Sequence, residues 1–540
     1  MNFSKAAARA RARVRLSVRK RRRRASAARA VAAETQPGQV PPTPEAFAPP
    51  PKRTAMSHAE VRRIFFGIML ATFLAALNQT IVATAMPTIG RHYGDFENLS
   101  WVVTAYLLTS TAVAPLYGKL ADIWGRSAMI HTAIGIFMAG SVLSAAAPDM
   151  LTLILGRALQ GIGGGGILPV AQSVIADVVA PRERGRYQAY MGVVWVTAGI
   201  GGPVLGGVFA EHLHWTLIFW INVPLALGAA LLTHIHLRRI PRNERMHKLD
   251  WLGAGLMMAS AIPLLLAFTW GGTRFPWSSA PILMLIGGSF VLSFLFGWRL
   301  VRAPEPFLPM TVLANPVMRW GTTSGSLSMG VQIGLTIMIP LYFETVHRLT
   351  ASESGFALIP IALTTPGSLL SGQAMLYWRH YKRAPVIGMW CALLAMAFLV
   401  WKPDLPLIYV IVILCVVGTA IGLVFPVTTV SIQNAVPHHQ VGIAMGALNF
   451  FRQLASAFVV AMMGAILLAG LGVAPERAGR AVSVVSEVSA AASGDVAFVF
   501  RWVFLSAFVC LALALAALIA MEERPLRTTT APAEGPPPAG

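Results

Sequence analysis

Fourteen mainly apolar stretches recur along this chain, and they dictate the solvent it folds in. They cover residues 64–86, 101–117, 128–147, 151–175, 187–210, 215–237, 251–270, 281–301, 320–343, 354–376, 384–401, 406–430, 442–470 and 499–521. A helix needs roughly 20 such residues to cross about 30 Å of hydrocarbon. Lipid gives the backbone no hydrogen-bond partner, so every span must satisfy its own N–H and C=O groups. Helices do this. A closed barrel would show segments of about ten alternating residues, and that pattern is missing. Of the 540 residues, 56 % are hydrophobic and only 12 % charged, against about 25 % charged in a soluble domain. The expectation is an all-α membrane protein with fourteen transmembrane helices.

One stretch invites a different reading. In "LGRALQGIGGGGILPV", residues 155–170, Gly161, Gly163 and Gly166 match the dinucleotide-binding spacing G-x-G-x-x-G. That fingerprint has meaning only between a strand and a helix. Here it lies inside an apolar span, so the stretch is read as a glycine-lined helix carrying one charge, Arg157. No ATP site, nucleophile–base set or metal-ligand cluster is legible, and the chain is not read as an enzyme. Metal and cofactor are expected to be absent. His212 and His214 are too few to hold a metal. Cys391, Cys415 and Cys510 lie in apolar spans and suggest no disulfide scaffold.

Charge sets the orientation. Residues 1–63 hold 16 Lys and Arg against Glu34, Glu45 and Glu60, and the following "PGQVPPTPEAFAPPPKR" is rich in proline. This head is read as a disordered basic cytoplasmic tail; "RKRRRRASAARA" could bind anionic lipid or nucleic acid, and no specific nucleic acid is expected. Met56 is a second candidate start. With the N-terminus cytoplasmic, the inside junctions carry 16 Lys and Arg and the outside junctions seven, which obeys the positive-inside rule. The inside junction "AVPHHQ" after the twelfth span has none. Both termini are then cytoplasmic. Trp101, Trp215, Trp251, Trp270, Trp298, Trp320, Trp378, Trp401 and Trp502 fall near span ends and read as interfacial anchors.

An internal repeat organises the spans. "ILPVAQSVIADVVAPRERG" (167–185) echoes "VFPVTTVSIQNAVPHHQVG" (424–442): Pro169 to Gly185 matches Pro426 to Gly442, offset by 257 residues. The match falls at the fourth and twelfth spans. It fits two six-helix halves in parallel orientation with two helices inserted between them, a transporter design. The domains are therefore 1–63, the tail; 64–238, the first half; 239–318, the inserted helices 7 and 8; 319–521, the second half; and 522–540, a disordered cytoplasmic tail.

At this point the residues resemble a known family. "GKLADIWGR" (Gly118, Asp122, Gly125, Arg126) is similar to the loop between the second and third helices of the major facilitator superfamily. "LGRALQGIGGG" (Arg157, Gln160, Gly161, Gly163) resembles its fourth-helix motif, and "GIGGPVLGG" (199–207) its fifth-helix antiporter motif. "LNQTIVATAMPTI" (77–89), "IPLYFETV", "GFALIPIAL" and "GALNFFRQLASA" resemble the fourteen-helix drug–proton antiporter branch. The likeness covers roughly 60–521. It departs at Asn78, where the family usually has Asp, at Ile123 in place of a basic residue, and in "SGQAMLYWRHYKRAP", which keeps Gly372 but has no Asp. The resemblance implies export of hydrophobic or cationic drugs and toxic compounds, driven by protons, through a multi-pass inner membrane. It implies small-molecule substrate, protons and lipid as partners, with a periplasmic adaptor protein as a further candidate. Asn78 leaves the coupling ion open, and keeps an uptake carrier for a small metabolite or siderophore as the alternative.

Physical roles follow for the motif residues. A guanidinium within a span costs about 2.5–3.5 kcal/mol or more and cannot lose its proton. Arg157 must face the interior, with Gln160, Asn78, Gln79 or free carbonyls as acceptors, or snorkel to an interface. Asp122 and Arg126, with Gly118 and Gly125, form either a conformational latch or a static loop. Gly199, Gly201, Gly202, Pro203, Gly206 and Gly207 give a hinge and seal, or simply tight packing. Arg452 repeats the Arg157 argument, with Asn449 one turn before it and Gln453 beside it. Gln332 lies mid-span; Glu211 and Glu344 lie at outer ends. The expected pathway is lined by Asn78, Gln79, Arg157, Gln160, Trp195, Asn449, Arg452 and Gln453.

Overall fold

The computed structural model describes residues 58–237, 249–350, 353, 363–378, 380–471 and 493–526. Expectations placed on the remaining residues, among them the basic head and most of "GFALIPIAL", lie outside these. Fourteen helices of at least 14 residues order the described chain. They are α1 His58–Tyr93, α2 Trp101–Trp124, α3 Arg126–Ala145, α4 Met150–Val178, α5 Pro181–His212, α6 Asn222–Leu237 and α7 Trp251–Trp270, then α8 Ala280–Arg302, α9 Pro316–Val346, α10 Thr364–Tyr377, α11 Arg383–Trp401, α12 Leu407–Ala435, α13 Val441–Gly470 and α14 Ser493–Ala520. Twelve helical stretches are long and apolar enough to cross a membrane. The two helices outside that set are α2, which threads Thr104, Thr109, Ser110 and Thr111 through its apolar residues, and α10, described for only 14 residues. Among the described residues there is no strand beyond an isolated bridge, Gly271 to Phe275, in the turn before α8.

Local chemistry sets the helix ends. Asp149 caps α4 by accepting from Thr152 N at 2.7 Å, and Asp250 caps α7 by accepting from Gly253 N at 3.1 Å; a side-chain oxygen there satisfies one of the orphan N–H groups of the first turn. Pro181 and Pro316 open α5 and α9, where a missing N–H costs nothing. Gly125 alone separates α2 from α3. Its φ of +93° reverses the chain in one residue, a conformation that a Cβ would strain.

The helices pack as two groups. In the first, α4 lies against α2 and α3, and α1 lies against α5 and α6; in the second, α9 packs on α12, α13 and α14, while α12 also holds α10 and α11. The groups meet through α2 with α13 and α5 with α10. The α7–α8 pair sits against α2 and α13, with Trp101 edge-on to Trp270 and Phe268 edge-on to Phe458. Its α8 is largely bare: Phe290, Phe294 and Val301 are 71 %, 74 % and 74 % exposed. Apolar faces of that size belong in lipid. Trp251, Trp298, Trp320, Trp378 and Trp401 are exposed near helix ends, as anchors should be, while the exposed Trp502 lies nine residues into α14. Trp215 is different: it is buried among His92, Tyr93 and Phe219.

The glycine run of α4 is a packing surface. Gly161 and Gly165 press on the α2 backbone at Tyr106 and Ser110, and Gly163 presses on α3 at Ala133 and Phe137. The helix is continuous from Met150 to Val178, so no phosphate-cradling turn exists here. Small residues let three helices meet at backbone distance, the usual source of helix association in lipid. Gly163→Leu would force α4 away from α3. Overpacking of this kind costs about 1–3 kcal/mol. Thermal unfolding of the purified protein in detergent should show a lowered midpoint, whereas Gly199→Ala, at a position with open space around it, should leave it unchanged.

Candidate functional site

Arg157 enters α4 from the Trp101 end and is 1 % exposed. It does not snorkel; it is held by neutral groups from several helices. Its Nε donates to the Val102 carbonyl at 2.8 Å, and its Nη1 donates to Asn78 Oδ1 at 3.1 Å and to Gln160 Oε1 at 2.5 Å. Gln160 Nε2 in turn donates to Ser141 Oγ on α3 at 2.6 Å. Asn222 of α6 donates to Asn78 Oδ1 at 3.4 Å. The Tyr106 ring lies 4.5 Å beneath the guanidinium carbon, a favourable cation–π distance. Five helices thus converge on one charge. Gln79 lies near the Tyr106 hydroxyl and makes no hydrogen bond to Arg157. Trp195, half-buried on α5, packs beside Ala76 and Leu77 of α1. Val102, Tyr106, Ser141 and Asn222 escaped the sequence reading, because nothing in a motif marks a carbonyl or a hydroxyl as an acceptor.

Arg452 is the second interior guanidinium, 8 % exposed. Its Nη2 donates to Thr429 Oγ1 at 3.0 Å and Thr428 Oγ1 at 3.3 Å, both on α12, and its carbon lies 5.3 Å from the Phe425 ring centre. Asn449 does not join it. Asn449 Nδ2 reaches across to Gln172 Oε1 of α4 at 2.8 Å, and Gln433 Nε2 donates to the Gln172 carbonyl at 3.1 Å. Gln453 is half-buried beside Arg452 in sequence. Gln332 donates to Thr364 Oγ1 of α10 at 3.2 Å.

At the Gly125 end the two helix groups are clamped. Gly118 of α2 and Gly442 of α13 touch backbone to backbone, as do Gly185 of α5 and Gly372 of α10. The first contact carries an electrostatic lock. Asp122 accepts from Gly442 N at 3.0 Å and Ile443 N at 2.8 Å. Those are free N–H groups at the start of α13, where the helix dipole favours a negative charge. Arg126 pairs with Asp122 and also donates through Nε to Asp177 Oδ2 at 3.3 Å. His438, just ahead of α13, stands 3.4 Å from the other Asp177 oxygen. Asp177 and His438 were not singled out from sequence. A charge one residue before the end of an apolar helix was the available signal. At the second contact, Arg182 Nε donates to the Leu376 carbonyl at 2.9 Å from an exposed position.

The fifth-helix glycines divide into two sets. Gly202 and Gly206 sit tight on Thr80, Ile81 and Thr84 of α1, and Thr80 Oγ1 donates to the Ala198 carbonyl at 2.8 Å. Gly199, Gly201 and Gly207 have open space where a side chain would be. Pro203 is exposed. Close packing of α5 on α1 is therefore the work of two glycines.

The Major Facilitator Superfamily model matches residues 68–460, and this chain belongs to that superfamily. An MFS-type transporter of Mycobacterium tuberculosis is 35 % identical over 423 residues, covering 76 % of this chain and 60 % of the relative. The chain thus spans about 60 % of the length of the first curated relatives it matches. The multidrug transporter protein MdtP of Bacillus subtilis is 31 % identical over 409 residues, covering 75 % of each chain. A solved bacterial homologue of the iron transporter ferroportin, in an outward-facing state, shares the fold with a TM-score of 0.56 at 13 % identity, covering 85 % of this chain and 98 % of that one.

Asp122→Asn removes the charge at the α13 terminus while keeping the shape. Charge-assisted hydrogen bonds contribute about 1.5–3 kcal/mol, so the closed arrangement should lose about tenfold or more in population. Spin labels at Trp124 and Pro437 would read this as a new, longer distance. An unchanged distribution would mean that the clamp is held by glycine packing alone.

Proposed function

We propose that this chain is a secondary transporter of a cytoplasmic membrane that exports hydrophobic organic compounds in exchange for protons, by alternating access. The two moving bodies are α1–α6 and α9–α14, corresponding to residues 64–238 and 319–521, with α7 and α8 as an inserted pair. The positive-inside bias supports placing the Gly125 end, and both termini, on the cytoplasmic side. The observation that carries the reading is the pairing of a lock at one end with polar cores inside. Asp122, Arg126, Asp177 and His438 hold that end shut, while Arg157 and Arg452 stay charged between the helices.

In this state the contacts at the Gly125 end hold the interior closed to the cytoplasm. Breaking the Asp122 contacts with α13 lets the halves rock and exposes the interior to the cytoplasm, a bistable change in which one packing replaces another. Cargo then binds, the lock re-forms, and the cargo leaves on the outer side. The proton belongs to the same step. Asn78 offers no carboxyl, and every Asp and Glu on the fourteen helices lies within two residues of a helix end. Asp122 and Asp177 are the carboxylates that lose partners when the lock opens. Asp122 gives up the Gly442 and Ile443 N–H groups and Asp177 gives up His438, while Arg126, on the same half, stays with both. Each then takes a proton more readily, because the partners it gives up no longer favour its charged form. A relative's name as a multidrug transporter supports the choice of cargo class.

Reconstitution tests this directly. Purified protein in liposomes, with a pH-sensitive dye inside and a substrate panel outside, should show proton movement that begins only when a transported compound is added. Arg157→Gln should reduce it by about tenfold or more, since a buried charge-assisted network contributes about 1.5–3 kcal/mol. Proton flux indifferent to every compound would rule out the exchange.

A further inference from the structure

The interior of the bundle is electrostatically one-sided. Of the buried charged residues, Asp122, Arg126, Arg184 and Asp250 lie at or near helix ends; Arg157 and Arg452 lie inside theirs. Both interior charges are cations, and among the described residues neither is paired with a carboxylate. They differ in how far the protein satisfies them. Arg157 commits Nε and Nη1 to fixed protein oxygens. Arg452 keeps a buried Nε with no partner, and its Nη2 rests only on two threonine hydroxyls.

Gly325 of α9 packs directly on the guanidinium: a Cβ there would meet Arg452 Nη2 at 3.3 Å and Nε at 3.4 Å. Ser324, next to it, and Ser328, one turn on, both carry buried hydroxyls without partners. A buried donor left unpaired is costly, so such groups normally mark a missing partner. The serine hydroxyls can donate or accept, but Arg452 Nε can only donate, so its missing partner must bring an acceptor. A planar guanidinium fork matches the two oxygens of an oxyanion better than any other ligand. A cation brought to the same place would meet the fixed positive charge of Arg452 in a medium that screens it poorly.

Arg452 stands 257 residues after Trp195, the offset that relates Pro169 to Pro426 and Gly185 to Gly442. At equivalent positions of the two halves the chain thus offers a half-buried indole and a guanidinium. We propose that Arg452, held by Thr428 and Thr429, recognises a carboxylate-type oxyanion on the exported compound through its unpartnered Nε. The cargo is then an amphipathic organic acid. This rests on the export reading above and selects the anionic members within that class.

The test is transport in proteoliposomes under an imposed pH gradient, with carboxyfluorescein as the anionic probe and ethidium as the cationic one. Wild-type protein should move carboxyfluorescein in a gradient-dependent way and leave ethidium behind. Arg452→Gln should lower carboxyfluorescein flux by about tenfold or more. Arg452→Lys, which keeps the charge but loses the fork, should fall between. Gradient-dependent movement of ethidium without carboxyfluorescein would overturn the anion assignment and leave the export reading standing. Movement of neither probe would overturn both. The wild-type comparison decides the matter even if Arg452→Gln fails to fold, and full activity in a folded Arg452→Gln would remove Arg452 from recognition.

Discussion

A charge surrounded by lipid-facing helices has to find its partners inside the protein, and the structure around Arg157 is arranged by that need. Insertion of such a group costs about 2.5–3.5 kcal/mol or more, and its proton cannot be given up to lower the cost. The solution draws a carbonyl from α2, amides from α1 and α4, and an aromatic ring from α2. Asn222 and Ser141 then hold the amides in place. The glycines of α4 make this possible. With Gly161, Gly163 and Gly165 against neighbouring backbones, the helices come close enough for short side chains to reach one another. Packing and polarity are one constraint here: a bulkier α4 would lose the acceptors together with the contacts.

The spans were legible because lipid imposes a length and an apolar composition that no soluble fold would repeat so often. Their order follows from composition alone; for Arg157 an interior and an interfacial place were both open, and the structure puts it inside. Its partners were only half legible. Asn78 and Gln160 announce themselves as polar residues stranded in apolar spans. The Val102 carbonyl and the Tyr106 ring do not, since every span offers carbonyls and most offer aromatics. Asn449 was placed beside Arg452 from their three-residue spacing, and that spacing does put both on neighbouring parts of one helix. Which neighbour each one meets depends on the other helices. Asn449 turns to Gln172 of α4, Arg452 to Thr428 and Thr429 of α12. Spacing within a helix sets a face; tertiary packing chooses the partner.

The repeat carries more of the architecture than any single motif. Gly185 and Gly442 end the two matching segments, and each forms one of the two close contacts at the clamped end, with Gly372 and Gly118. Those partners are themselves a pair: Gly372 follows Gly118 by 254 residues, and the same step from Asp122 reaches Leu376. Two pseudo-equivalent contacts therefore close one end of the bundle, and they are chemically unequal. Around Asp122 a buried carboxylate receives two backbone N–H groups and an arginine. Around Leu376 a single carbonyl receives an exposed arginine.

That inequality has a mechanical consequence. Exposed hydrogen bonds and ion pairs compete with water and contribute little, so the α5–α10 contact relies mainly on glycine fit. The α2–α13 contact adds a buried charge on a helix terminus, and losing either partner leaves a desolvated group behind. The cost of separating the halves is thus concentrated at Asp122. A rocking motion needs such a concentration, because a seam held equally everywhere has no cheap way to begin opening. The α7–α8 pair lies along this same seam, against α2 and α13, and packs there through aromatic edges at the opposite end, Trp101 with Trp270 and Phe268 with Phe458. Aromatic contacts slide at modest cost where a salt bridge must break. The inserted helices therefore meet this seam through contacts that carry no charge, and the buried carboxylate remains its most costly contact to part.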